Sequence, residues 1–389
     1  MGKLAKILTA VTAALLLAAC SDIMSDLKTR SSAGTPVSIP EQEPDTSLTP
    51  TPPTPEALAT PLTLEAAVAG AVVTFDNKAA GPVTYKVNGG TAQTIASYAK
   101  GTITLANIGD KVEFFGDNET YATSRSNYSN IACSEDCYVY GNIMSLIKSQ
   151  GFKDAAELKE SYAFCSLFSS NTHIKNKDGA DLLLPAATLA YECYYYMFCG
   201  CTSLTAAPSL PAATLANSCY NGMFYNCSSL TAAPSLPAAT LANSCYNVMF
   251  YNCTSLKTAP SLPATTLANR CYGGMFYGCT SLTAAPSLPA ATLAIYCYDI
   301  MFYGCTSLKA APSLPATTLV EGCYGNMFSG CASLASVTCL ATNISAIGCT
   351  TNWLYGVAAN GTFTKADGMT GWTTGENGIP NGWTVVDKQ

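Results

Sequence analysis

A 26-residue unit is written six times between Leu182 and Leu340, and nothing else in the chain restricts its fold as much. One copy runs Leu210-Pro211-Ala212-Ala213-Thr214-Leu215-Ala216-Asn217-Ser218-Cys219-Tyr220-Asn221-Gly222-Met223-Phe224-Tyr225-Asn226-Cys227-Ser228-Ser229-Leu230-Thr231-Ala232-Ala233-Pro234-Ser235. Its first cysteine recurs at Cys193, Cys219, Cys245, Cys271, Cys297 and Cys323, its second at Cys201, Cys227, Cys253, Cys279, Cys305 and Cys331. A constant period of this length implies a solenoid, in which each repeat is one coil that hides its apolar face only against its neighbours.

After Leu215 the apolar positions fall at Cys219, Tyr220, Met223, Phe224 and Cys227. At about 100° per residue they gather on one side of a helix, with Asn217, Ser218, Asn221 and Tyr225 opposite and Thr214 placed as a cap. The stretch from Ser228 to Pro234 is too short for a helix and reads as a strand or extended turn, punctuated by Pro234 and Pro237. The expected architecture is therefore an α/β repeat solenoid with a narrow parallel sheet.

Both ends of the array carry worn copies. Upstream, Ala163, Phe164, Leu167, Phe168, Asn171 and Ile174 keep the spacing of Cys219, Tyr220, Met223, Phe224, Cys227 and Leu230. Downstream, Cys349 follows Cys323 at the repeat interval, with Trp353 and Leu354 in the Met-Phe positions. Counting both gives about eight coils.

The Met-Phe-x-x-Cys-x-Ser-Leu core followed by Leu-Pro-Ala-x-Thr-Leu resembles the BspA-like, or treponemal-type, leucine-rich repeats of bacterial surface proteins. The resemblance covers the six full repeats and implies a leucine-rich-repeat fold displayed at a cell surface.

Residues 1–20 read as a signal peptide, with Lys3 and Lys6 ahead of an apolar run from Ile7 to Ala19. The run ends Leu17-Ala18-Ala19-Cys20, which resembles the lipobox of bacterial lipoproteins. That resemblance implies a lipid anchor on Cys20, and Ser21 after it implies the outer membrane. Residues 21–61, rich in Pro and Thr, read as a disordered tether. Residues 62–130 read as a small all-β, sandwich-like domain, with strands at Ala71–Phe75, Val83–Val87, Gly101–Leu105 and Lys111–Phe115 separated by turn residues. Residues 131–181 form a transition and N-terminal cap coil, with short helices expected at Asn142–Lys148 and Lys153–Ser161. Residues 182–340 hold the six repeats. In 341–389, a C-terminal cap coil and tail, Phe363, Trp372 and Trp383 either close the open end of the core or belong to a frayed terminus.

The net charge of −6 argues against nucleic acid as a partner. Between Leu182 and Leu340 the charged residues are Glu192, Lys257, Arg270, Asp299, Lys309 and Glu321, so the array presents a neutral surface of hydroxyls and amides. Nineteen cysteines suggest metal or disulfide chemistry, but His173 is the only histidine and mixed zinc-ligand spacing is absent. Cys219 and Cys227 would lie roughly 12 Å apart along a helix, beyond disulfide reach. The repeat cysteines therefore read as buried thiols acting as small apolar residues, with Cys199 an outward exception. Cys133 and Cys137 are the better disulfide candidates, then Cys339 and Cys349. No Gly-x-Ser-x-Gly, phosphate loop or His-Glu-x-x-His occurs, so neither an enzyme nor a cofactor is expected.

Two functions remain. One is a surface protein that binds a host protein, a neighbouring cell or a glycan through the solenoid. The other is a cell-envelope spacer without a specific ligand, and the two separate on whether the outward faces vary between coils. The candidate ligand-binding residues are Tyr225, Tyr251, Tyr277 and Tyr303, placed by the helix behind the core and toward solvent. Cys199 and Ser329 interrupt that column at its ends. The competing reading makes these tyrosines an outer packing layer.

Overall fold

The computed structural model describes residues 52–389, which lie within one compact unit. The signal segment, Cys20 and most of the tether fall outside the described residues. The last tether residues are ordered, because Pro55–Ala59 form one short helix, α1, capped by the Thr54 hydroxyl.

Ten strands follow: β1 (Leu62–Ala66), β2 (Ala71–Asp76), β3 (Val83–Val87), β4 (Gln93–Ile95), β5 (Lys100–Leu105), β6 (Lys111–Gly116), β7 (Ala122–Ser124), β8 (Asn127–Tyr128), β9 (Asn130–Cys133) and β10 (Cys137–Asn142). Two sheets result. One runs β10-β1-β6-β3-β4 and the other β5-β2-β9, all antiparallel. Period-two alternation buries Ala71, Val73 and Phe75 from one sheet and Val112 and Phe114 from the other. The Phe75 and Phe114 rings meet at 5.3 Å and join the sheets. β1 is buried along its whole length and lacks alternation, which hid it from the sequence reading.

β10 carries the sheet out of this domain and into the repeats. It pairs antiparallel with β1 on one side, and parallel with β11 (Ile174–Lys175) and β12 (Leu182–Leu183) on the other. The helix expected over Asn142–Lys148 is a 3-10 turn at Ile143–Leu146, capped by the Asn142 side chain. Over Lys153–Ser161 no helix forms beyond a 3-10 turn at Phe152–Asp154.

The α component of the expected α/β solenoid is absent, since no helix occurs in any repeat. The segment from Ser218 to Cys227 is instead a ribbon of successive turns with a period of four. Ser218, Gly222 and Asn226 adopt left-handed φ values of 55°, 61° and 58°. Between them the chain turns two apolar residues inward, first Cys219-Tyr220 and then Met223-Phe224. Backbone donors alternate in destination. Asn221, Met223, Tyr225 and Cys227 donate three residues back, whereas Tyr220, Gly222, Phe224 and Asn226 donate to the next coil at 2.7–3.1 Å. A helix would satisfy each segment alone; the ribbon spends every second donor on its neighbour, so the coils hold one another. Gly200, Asn226, Asn252, Gly278, Gly304, Gly330 and Gly356 fill one left-handed position with the two residue types that tolerate it best, and Ser170 takes it in the upstream copy.

The expected strand after Cys227 is reduced to single parallel bridges, Ala206 to Ala232 and Ala232 to Thr258, with Thr240, Thr266 and Thr292 bridged further along the coil. Inside, identical side chains stack in columns. Tyr194, Tyr220, Tyr246, Tyr272, Tyr298 and Tyr324 lie ring on ring at 5.6–6.1 Å. Phe164 and Tyr121 extend this column into the N-terminal domain, and Trp353 and Trp372 extend it to the other end. The C-terminal aromatics close the core. Phe363 and Trp383 are buried, and β13 (Ser336–Cys339), β14 (Thr362–Lys365) and β15 (Thr384–Asp387) continue the stack in parallel. The indoles of Trp353 and Trp383 donate to the Gly378 and Ala358 carbonyls.

Candidate functional site

The outer side of the turn ribbon holds the residues that do not face the core, and the tyrosine column lies there. Its rings do not point freely to solvent. Tyr225, Tyr251, Tyr277 and Tyr303 stack nearly parallel at 4.5, 4.2 and 4.6 Å, closer than the core rings do. Tyr225 and Tyr251 are buried and Tyr277 and Tyr303 half-buried. Cys199, which was expected to be exposed, is covered in the same small cluster. The expectation of solvent exposure is therefore corrected: a helix would have fanned these side chains out, whereas the ribbon repeats at the coil spacing and lets flat rings pile up. Burial and the adjoining phenols raise the Tyr251 hydroxyl well above its ordinary range.

The next row along the ribbon reads Ser218, Ser244, Arg270, Tyr296 and Gly322, and beside it run Asn221, Asn247, Gly273, Asp299 and Gly325. Much of the variation here is large against small. A side-chain carbon on Gly325 would meet Asp299 Oδ1 at 2.8 Å, and one on Gly273 would meet Asn247 Oδ1 at 2.7 Å. Changes in one coil are thus accommodated by glycine in the next, and this variation is packing.

The outermost row behaves differently. Asn217, Asn243 and Asn269 form a ladder, each Oδ1 accepting the backbone N–H of the following coil at 3.1–3.2 Å. The ladder ends where Ile295, Glu321 and Ile347 replace asparagine, and all three are exposed, Ile347 by 84%. Tyr191, Ile295 and Ile347 are the large exposed apolar residues of the repeats, and all three occupy this one row. The sequence reading missed it because single substitutions on a polar face carry no periodic signal.

Beside Ile295, the Arg270 guanidinium lies 4.3 Å from the centre of the Tyr296 ring, whose hydroxyl donates to Glu321 at 3.1 Å. Burial lifts the Asp299 carboxyl to about 6, against the pull of Arg270. Three of the repeat carboxylates and cations thus cluster where the ladder stops. Among the others, Glu192 is fully buried and held by Arg125, which reaches over from the turn between β7 and β8; Arg125 Nε donates at 2.8 Å and its guanidinium covers Tyr195.

The cysteines supply no reactive centre in the repeats. Cys201, Cys227, Cys253, Cys279, Cys305 and Cys331 each donate their S–H to a phenylalanine carbonyl of the preceding coil at 3.0–3.1 Å. Burial pushes Cys227 and Cys305 up to about 12, which suppresses the thiolate. Cys133 and Cys137 differ, since their thiols lie against each other and Asn171 Nδ2 donates to the Cys133 sulfur at 3.5 Å. None of the eighteen cysteines of the described residues forms a disulfide and all are buried, Cys339 and Cys349 included. Among the described residues no group of three or more His, Cys, Asp or Glu is placed to hold a metal, and no helix is long and apolar enough to cross a membrane.

No curated protein and no solved structure matches the chain. A family model for the BspA type leucine rich repeat region matches at residues 189–309 and 270–351, with six copies. The matched span is the stacked turn ribbon with its aromatic and cysteine columns, and residues 189–351 of this chain are a BspA-type leucine-rich repeat region.

Proposed function

We propose that this is a recognition protein of the bacterial surface, binding a host protein, a neighbouring cell or a glycan through its stacked repeats. In this reading the stack is a solenoid of about eight coils preceded by a sandwich-like domain, and a lipid on Cys20 holds it at the outer membrane. The observation that carries the reading is the outermost row of the ribbon. Asparagine there donates order to the stack in three coils, and isoleucine and glutamate then replace it without any packing demand. A spacer needs only polar side chains on such a row; exposed isoleucines aligned on one edge of a neutral array are what a contact surface uses. Tyr277 and Tyr303, the half-buried members of the tyrosine column, are a second candidate contact, with Tyr225 and Tyr251 supporting them from within the stack.

The full-length protein, immobilised, is offered a panel of matrix proteins and glycans. Saturable binding to a panel member is expected, and loss of retention in detergent is expected for Cys20→Ala. Absence of saturable binding to every member would favour the spacer, and equal detergent partitioning of Cys20→Ala and wild type would remove the anchor.

A further inference from the structure

We infer that the edge formed by Ile295, Glu321 and Ile347 is a docking site for a protein segment that carries apolar side chains next to a basic one. The inference rests on the recognition reading above and names the surface and the partner class.

The three side chains stand in one row on successive coils, so Glu321 sits between two exposed isoleucines. Neighbouring hydrogen-bonded coils are roughly 5 Å apart, which puts the isoleucines about 10 Å from each other. An extended peptide places alternate side chains on one face at about 7 Å, so one crossing the coils can set an apolar group near each isoleucine. The charge between them is acidic. Glu321 accepts from Tyr296 and keeps its remaining oxygen free of any basic partner, while Asp299, half-buried one row further along, offsets Arg270. Arg270 faces the same cluster but lies over the Tyr296 ring, where it is partly engaged. A lysine or arginine from the partner completes the charge pattern, and an acidic one is repelled.

A glycan fits this edge less well. Sugar recognition uses open aromatic faces, and the one ring here, Tyr296, is covered by the guanidinium of Arg270. A second copy of the chain would bring glutamate against glutamate if it docked edge to edge through the same row.

The fold does not depend on the three residues, because asparagine fills the same row in three other coils. The triple variant Ile295→Asn, Glu321→Asn, Ile347→Asn therefore extends the ladder and serves as the test. Full-length wild type and variant are titrated by fluorescence anisotropy with two labelled peptides, one alternating leucine and lysine and one alternating leucine and glutamate, and with a neutral β-glucan oligosaccharide. Sedimentation velocity is run on each protein alone. The expected result is binding of the leucine–lysine peptide by wild type, at least tenfold weaker binding by the variant, no binding of the leucine–glutamate peptide, and unchanged or higher Tm in the variant. Equal peptide binding by both proteins, absence of peptide binding, a variant-sensitive response to the oligosaccharide alone, or variant-sensitive self-association would each overturn the assignment. If the variant binds members of the matrix and glycan panel as wild type does, the edge is wrong and the recognition reading stands. If neither protein binds any panel member, it is the recognition reading that fails.

Discussion

The N-terminal domain and the repeat array solve the same problem, burial of apolar surface with paired backbone, in opposite ways. In the domain each strand has its own register and each core residue its own neighbours: Phe75 meets Phe114 and Tyr121, and no other pair repeats that contact. In the array one solution is translated, so Phe198, Phe224, Phe250, Phe276, Phe302 and Phe328 all see the same surroundings at 5.5–5.8 Å. The contrast shows what repetition changes. The domain is specified by complementarity among unlike groups, and the array by likeness between neighbours, with stability that is local to each interface.

Phe250→Ala breaks that contrast most strongly. Removing the ring leaves a cavity facing Phe224 and Phe276 and costs about 3–5 kcal/mol, the usual range for a buried phenylalanine. Phe114→Ala in the domain costs a similar amount, but its consequences differ. Hydrogen exchange should show faster exchange spread over the whole N-terminal domain for Phe114→Ala, and confined to the coils flanking residue 250 for Phe250→Ala. Uniform acceleration along the array in the second variant would show that it unfolds as one block.

The joint between the regions is tested next. Arg125→Ala strands the Glu192 carboxylate in the first full repeat, and a loss of about 2 kcal/mol is expected. That is less than for a fully buried pair, because Arg125 is half-exposed and water screens it. Glu192→Ser, which copies Ser218 and Ser244 of the following coils, should restore most of the loss in the double variant. Failure of this rescue in urea melts would mean that Arg125 acts through its cover of Tyr195 instead.

The smallest effect concerns Asp299. Its carboxyl is raised to about 6, above an unfolded value near ~3.9, so the ionised form opposes folding and stability rises as pH falls through that window. Asp299→Asn, matching Asn221 and Asn247 in the same row, should stabilise by about 1–2 kcal/mol at pH 7 and by nothing below pH ~4. A gain that persists at low pH would point to packing rather than to charge.

The sequence by itself determined the period, the two cysteine columns, the worn end copies, four of the six longer strands of the N-terminal domain (β2, β3, β5 and β6) and the identity of the inward residues. Each of these is written as a spacing or an alternation, and burial enforces both. Tertiary structure decided the rest. Cys219-Tyr220 and Met223-Phe224 suit a helix and a four-residue turn ribbon equally well over so short a stretch, and only hydrogen bonds to the next coil select the ribbon. The same stacking turned the tyrosine column from an open surface into a closed one, because rings at the coil spacing cover each other. It also set Ile295, Glu321 and Ile347 apart, as exposed residues where asparagine carries the ladder in other coils. A residue that departs from a repeat says nothing by its type alone; it speaks once its neighbours above and below show whether packing required the change.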